Sequence, residues 1–270
     1  MEEKLQFTGI EVEKNKELLS ILDDWKKQVA TKSPIIFQDD GMEYPTEQYF
    51  SYDGFFSGYF SQKHKVLFIG REPRWLNFNL YDTDYRTANI KFFETDNVNS
   101  NTFWSNVLYM LYGIQNEGKI KFEELPCADE IAKNMVATGN FGFAVMNISK
   151  YANNSDAGAT RNIELMNRFL QDSELHKRNF FLEELKLLDP DVIITANIWD
   201  CGLNGEYLGQ CFPGTWSDEL SQPPIIANHW KYKLETKDVD VINTYHFAAY
   251  TKNSKESFYD PVMKILFPNA

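Results

Sequence analysis

Four short, mostly apolar runs, at residues 66–69, 143–146, 192–195 and 239–243, look like central strands and constrain this chain most, because each is followed by polar or turn residues. Continuous apolar runs of this length read as strands buried on both faces. Long stretches with helical spacing lie between most of them. Phe103-Trp104, Val107-Leu108 and Leu111 make one helix face; Ile163, Met166, Phe169 and Leu170 make another. Phe181, Leu182, Leu185 and Leu188 make a third, which Pro190 stops. Strands alternating with helices pair in parallel through right-handed crossovers. The expected fold is α/β: three layers, α/β/α, around a central four-stranded parallel sheet. Residues 224–234 offer an extra strand before the last.

Residues 1–62 are expected to form a helical and aromatic N-terminal extension packed on this core, with the α/β domain spanning 63–270. Leu18, Leu19, Leu22, Trp25 and Val29 recur at helical spacing within residues 15–30. The stretch 34–62 is aromatic and irregular. The 270-residue chain suffices for one large domain, and no repeat, low-complexity tract or Pro/Gly/Ser linker divides it.

Charge and cysteine usage narrow the function. The net charge of −12 argues against a general nucleic-acid binder, which needs Lys and Arg to displace counterions from phosphates. It leaves room for a local basic cleft. Residues 63–91 hold six basic side chains (Lys63, Lys65, Arg71, Arg74, Arg86, Lys91) against three acids (Glu72, Asp82, Asp84). Solvated surface charge accounts for that excess equally well. Three cysteines without a Cys-x-x-Cys pair fit a reduced intracellular thiol set and offer no thiolate cluster for a metal. The charged start lacks the apolar core of a signal peptide, and no run reaches the ~18 apolar residues of a spanning helix. A cytoplasmic protein without membrane contact is expected.

Parallel strands bring their carboxyl ends to one rim, which is where open α/β sheets bind ligands. That rim would carry Gly70-Arg71-Glu72-Pro73, Asn147 with Lys150, Asn197, and His246. A carboxylate can polarise water, and a carboxamide can read the edge of a heterocycle with both donor and acceptor. An imidazole can donate to an oxygen that gains negative charge. Each residue alone has an ordinary explanation: Glu72 solvated after a strand end, Asn147 capping a turn, Lys150 solvated, His246 satisfied in the core.

In order and spacing these motifs resemble the uracil-DNA glycosylase superfamily. The similar elements are Gly70-Arg71-Glu72-Pro73 after the first strand, Asn147 after the second, and His246-Phe247-Ala248-Ala249 after the last. Asn101-Thr102-Phe103-Trp104 is similar to the helix-opening motif of the mismatch-specific branch. Met146-Asn147-Ile148-Ser149-Lys150 is similar to the Thr-Asn-x-x-Lys of the thermophile-type branch. The resemblance covers residues 63–268. It implies a base-excising enzyme that needs no metal or organic cofactor, with DNA as partner through the local basic cleft and a nucleobase in the pocket. Glu72 would activate water and His246 would stabilise the leaving base. Gly70, Arg71, Pro73, Asn147 and Lys150 would line the base pocket, with Phe78 or Tyr81 stacking on the base. The chain departs from the family at Phe247-Ala248, where Pro-Ser is usual, at Arg74-Trp75, at Asn197 in place of glycine, and in lacking iron–sulfur cysteines.

Two further classes stay open. A non-catalytic relative could hold a base, a nucleotide or an unspecified protein partner in the same crevice. A different α/β hydrolase could use Glu72 and His246 on a small substrate, although no Gly-x-Ser-x-Gly elbow and no P-loop occurs.

Overall fold

A computed structural model of the chain describes residues 6–37, 42–73, 84–95, 97–153, 162–200, 202–221 and 226–270. Among these residues the α-helices are α1 (Ile10–Lys32), α2 (Thr46–Tyr49), α3 (Tyr85–Phe93), α4 (Thr102–Gln115), α5 (Ala128–Ile131), α6 (Ile163–Ser173), α7 (Phe180–Leu188), α8 (Gly205–Cys211) and α9 (Asp260–Leu266). The strands are β1 (Ile35–Phe37), β2 (Glu43–Pro45), β3 (Gly54–Phe55), β4 (Val66–Gly70), β5 (Ala144–Asn147), β6 (Val192–Ala196), β7 (Asn228–Leu234) and β8 (Lys237–Thr244). β1 and β2 form a separate antiparallel pair, and the other six strands form one sheet in the order β3-β5-β4-β6-β8-β7.

The four apolar runs become β5, β4, β6 and β8, and each neighbouring pair among them is parallel. The expected four-stranded sheet is corrected to six strands, because β3 and β7 add antiparallel edges. β3 is only Gly54 and Phe55, too short to show any period in sequence. β7 supplies the extra strand anticipated before the last one. It reaches β8 through a tight hairpin in which Glu235 adopts a φ of 57°.

Alternation along the strands divides the core in two. Leu67, Ile69, Ile193, Val239 and Val241 join one cluster, with side chains of α1, α6 and α7. Val66, Phe68, Val192, Ile194 and Ile242 join the other, with side chains of α3, α4 and α9. Local chemistry sets the helix starts: the side chains of Asp84, Asn101, Asn162, Asn179 and Asn204 accept backbone N–H bonds at the heads of α3, α4, α6, α7 and α8. Each such cap contributes about 1 kcal/mol.

The N-terminal segment is tied in by Trp25 of α1. Its ring is buried and stacks on Phe180 at 5.7 Å, and its Nε1 donates to Ser173 Oγ at 2.7 Å. Emptying that site would cost about 3–5 kcal/mol. Farther along, residues 50–55 run beside β5, so this segment extends the sheet as well as covering it. No helix among the described residues is long and apolar enough to cross a membrane.

Strand register places the site. Gly70 pairs with Asn147 and Ala196 with Thr244, so the chain leaves the four parallel strands along one edge. Just beyond that edge Asn197 takes a φ of 51°. Asparagine tolerates this left-handed conformation better than most residues, and so it can stand where glycine is otherwise preferred.

Candidate functional site

At this edge lies a cavity of about 470 Å³ lined by Glu72, Asn147 and His246 together. Three groups distant along the chain therefore share one wall system, as the parallel topology requires. Gly70 and Arg71 line it too, and the start of α4 (Asn101 to Trp104), Tyr85 and the loop from Ala248 to Thr251 complete it.

The β4–β5 pairing continues past the strand ends and holds the turn in place. Ile148 N–H donates to Gly70 O at 3.0 Å, Ser149 N–H to Arg71 O at 2.8 Å, and Asn153 N–H to Pro73 O at 2.9 Å. Asn153, fully buried, also donates from Nδ2 to Glu72 Oε1 at 3.0 Å. The carboxylate is thus aimed by a residue on the neighbouring connection.

Asn147 has its backbone N–H on Asp53 Oδ2 at 2.7 Å and its Nδ2 on the same oxygen at 3.5 Å. Its Oδ1 lies over Gly70, where a Cβ would approach that oxygen to 2.6 Å. Glycine is needed at position 70 for space.

His246 follows β8. Its Nδ1 accepts the Ala248 N–H at 3.2 Å, so the neutral ring carries its proton on Nε2. Phe247 turns inward, fully buried, and packs edge-on against Phe68 and Phe103 at 5.8 and 5.4 Å. Asn106 Nδ2 holds its carbonyl at 2.8 Å. Phenylalanine after the histidine is therefore a core anchor for the loop, and Ala248 faces the cavity.

The head of α4 lines the cavity as well, and the N-terminal N–H groups of a helix favour negative charge near them. Burial pushes the Tyr85 phenol well above its ordinary value, so Tyr85 remains a hydroxyl at neutral pH.

Two expected pocket residues lie elsewhere. Lys150 is fully buried outside the cavity lining, with Nζ 2.5 Å from Asp53 Oδ1 and 2.9 Å from Glu184 Oε2. An ammonium with no access to water needs carboxylate partners, and it finds both within the core. Pro73 is buried and contributes its carbonyl to Asn153 rather than a surface to the cavity. Phe78 and Tyr81, expected to stack on a base, and Arg74-Trp75 lie outside the described residues.

Among the described residues, Arg71 is the one basic side chain of the 63–91 segment that lines the cavity. Lys63 is paired with Glu117, Lys65 with Asp189, and buried Arg86 with Asp84 at 2.8 Å. No group of three His, Cys, Asp or Glu side chains among the described residues is arranged to hold a metal ion.

Asp53, Tyr85 and Tyr250 carry no signal in the sequence that would single them out, whereas Asn101 stands in the helix-opening motif and caps α4. Comparison with known proteins finds no family model that matches the chain and no curated protein significantly similar to it.

Proposed function

We propose that the cavity is the base pocket of a uracil-DNA glycosylase-like enzyme that hydrolyses the N-glycosidic bond of a damaged or deaminated base in DNA. The observation that carries this reading is the convergence of Glu72, Asn147 and His246 on one cavity of about 470 Å³, ample for a flat heterocycle. Side chains of α1, α6 and α7 in one core cluster, and of α3, α4 and α9 in the other, support the three-layer arrangement that goes with it.

Each group has a task in that chemistry. The base, unstacked from the duplex at a cost of a few kcal/mol, enters the pocket and meets the Asn147 amide with its edge. As the bond from C1′ to the base nitrogen breaks, its electron pair passes to the base, and negative charge grows on a ring carbonyl. His246 Nε2–H donates to that oxygen. Glu72, aimed by Asn153, orients a water whose oxygen bonds to C1′ and takes up the proton released. Of the aromatic side chains that line the cavity, Phe103 and Tyr250 are more exposed than Tyr85 and Trp104, and so are available for stacking. Arg71 and the head of α4 favour a phosphate at the mouth. The residues used require no metal or organic cofactor.

Incubation with oligonucleotides carrying uracil, xanthine or hypoxanthine at low salt tests the reading. Released free base supports it, and no release of base across the panel at high enzyme concentration counts against it.

One observation favours a second reading, a relative that binds a base or nucleotide without turnover. The chain carries a net charge of −12, and Lys63, Lys65 and Arg86 are committed to acidic partners, which leaves little to hold DNA. Calorimetric binding of nucleobases or nucleotides without release of base from the oligonucleotide panel would select it.

A further inference from the structure

Asp53 belongs to the segment before the region of family resemblance, yet it touches the base-reading amide. Phe50 pairs with Tyr151, and Gly54 pairs with Val145. Four steps on one side therefore oppose six on the other, and the irregularity leaves the Asn147 N–H without a backbone partner across the pair. Asp53 Oδ2 takes that N–H at 2.7 Å and reaches the Asn147 Nδ2 at 3.5 Å.

A carboxylate only accepts hydrogen bonds. Flipping the Asn147 amide would set Oδ1 against Asp53 Oδ2, oxygen against oxygen. Asp53 cannot swing away to permit this. It is 1% exposed, and its other oxygen is 2.5 Å from Lys150 Nζ, which is itself held by Glu184 at 2.9 Å.

We propose that Asp53 is a specificity-determining positioning residue that latches the Asn147 amide in one orientation, so that the pocket accepts heterocycles with a lactam edge and rejects those with an amino edge. The inference rests on the cavity being a base pocket, and it is independent of whether the bound base is excised. In uracil, xanthine and hypoxanthine a ring N–H stands beside a carbonyl, which complements Oδ1 beside a remaining Nδ2 proton. In cytosine and adenine a ring nitrogen acceptor stands beside an amino group, which is the reverse order. An amide able to rotate could serve either edge. The latched one serves the first.

Calorimetry with free bases tests this. For the unaltered protein, uracil and hypoxanthine should bind at least about tenfold more tightly than cytosine and adenine, the equivalent of one mismatched buried hydrogen bond. Methylation of uracil at N3 should abolish binding, and methylation at N1, the glycosidic position, should not. In Asp53→Asn the latch is relaxed while Lys150 keeps Glu184, and the preference should fall to about threefold or less through tighter binding of cytosine and adenine. Equal affinity for uracil and cytosine, tolerance of N3-methyluracil, or no base binding to the unaltered protein overturns the proposal. So does an unchanged preference in a folded Asp53→Asn variant. Lactam-selective binding without excision would sink the glycosylase reading and leave the latch standing; excision without lactam preference would do the opposite.

Discussion

Asn153 Nδ2 donates to Glu72 Oε1 at 3.0 Å, and the two residues lie 81 positions apart in the chain. The acid follows β4 and its guide follows β5, so under the proposed function the aim of Glu72 would depend on Asn153. Asn153→Ala is expected to lower the single-turnover excision rate by about tenfold to a hundredfold, the effect of letting a reacting group drift by an ångström. Base affinity should change little. Urea unfolding should show a loss of about 1–3 kcal/mol, because the Glu72 carboxylate loses a buried donor.

Gly70→Ala tests the packing of the reading amide. The added Cβ would meet Asn147 Oδ1 at 2.6 Å, so the amide must shift or the strand ends must part. Overpacking of this kind costs about 1–3 kcal/mol. The variant should unfold at lower urea and bind base at least about tenfold more weakly, since a displaced amide forfeits its edge contacts.

The buried triad of Lys150, Asp53 and Glu184 makes two substitutions behave oppositely. Burial, then the negative charge of Asp53, pushes Glu184 well above the usual carboxylate range, with Lys150 opposing. For Lys150 burial is the largest influence and pulls downward, but the two carboxylates together leave it raised. Lys150→Met strands two acids in the core and should cost about 3–5 kcal/mol. Glu184→Gln keeps Lys150 with Asp53 and should be neutral or stabilising.

The same triad sets a pH dependence. A carboxyl raised in the folded state holds its proton after the unfolded chain has lost it, so it makes stability fall as pH rises above about 4.3. The slope is at most about −1.4 kcal/mol per pH unit. Lys150 contributes stability that is fully present below its unfolded value near 10.4 and is lost as pH rises through its higher folded value. Urea midpoints compared from pH 4 to 8 should show the Glu184 slope in the unaltered protein and its loss in Glu184→Gln. Parallel curves for the two proteins would mean that Glu184 is ionised in the fold.

Much of this architecture was legible because parallel strands buried on both faces must be short, apolar and abruptly ended. Val66 to Ile69 could be read that way, and Glu72, Asn147 and His246 could be located because each follows such an ending. Two-residue β3 carries no pattern, and its neighbour Asp53 acts only through a register irregularity that no local sequence encodes. Lys150 lies outside the cavity lining, and its sequence position hides this for a related reason. Its partners lie 97 and 34 residues away, and a lysine just past a strand end looks solvated until the core supplies them. Tyr85 and Tyr250 reach the cavity from a helix start and a loop, where spacing predicts no direction.

Under the proposed function, Glu72, Asn147 and His246 act together on one bound base. Single-turnover excision from a uracil-containing oligonucleotide tests it most directly, comparing the unaltered protein with Glu72→Gln and His246→Ala. Measurable excision is expected, which each substitution lowers by about a hundredfold or more while the folded state persists, the usual scale for a lost acid–base or oxyanion group. Excision that survives both substitutions at the original rate would contradict it.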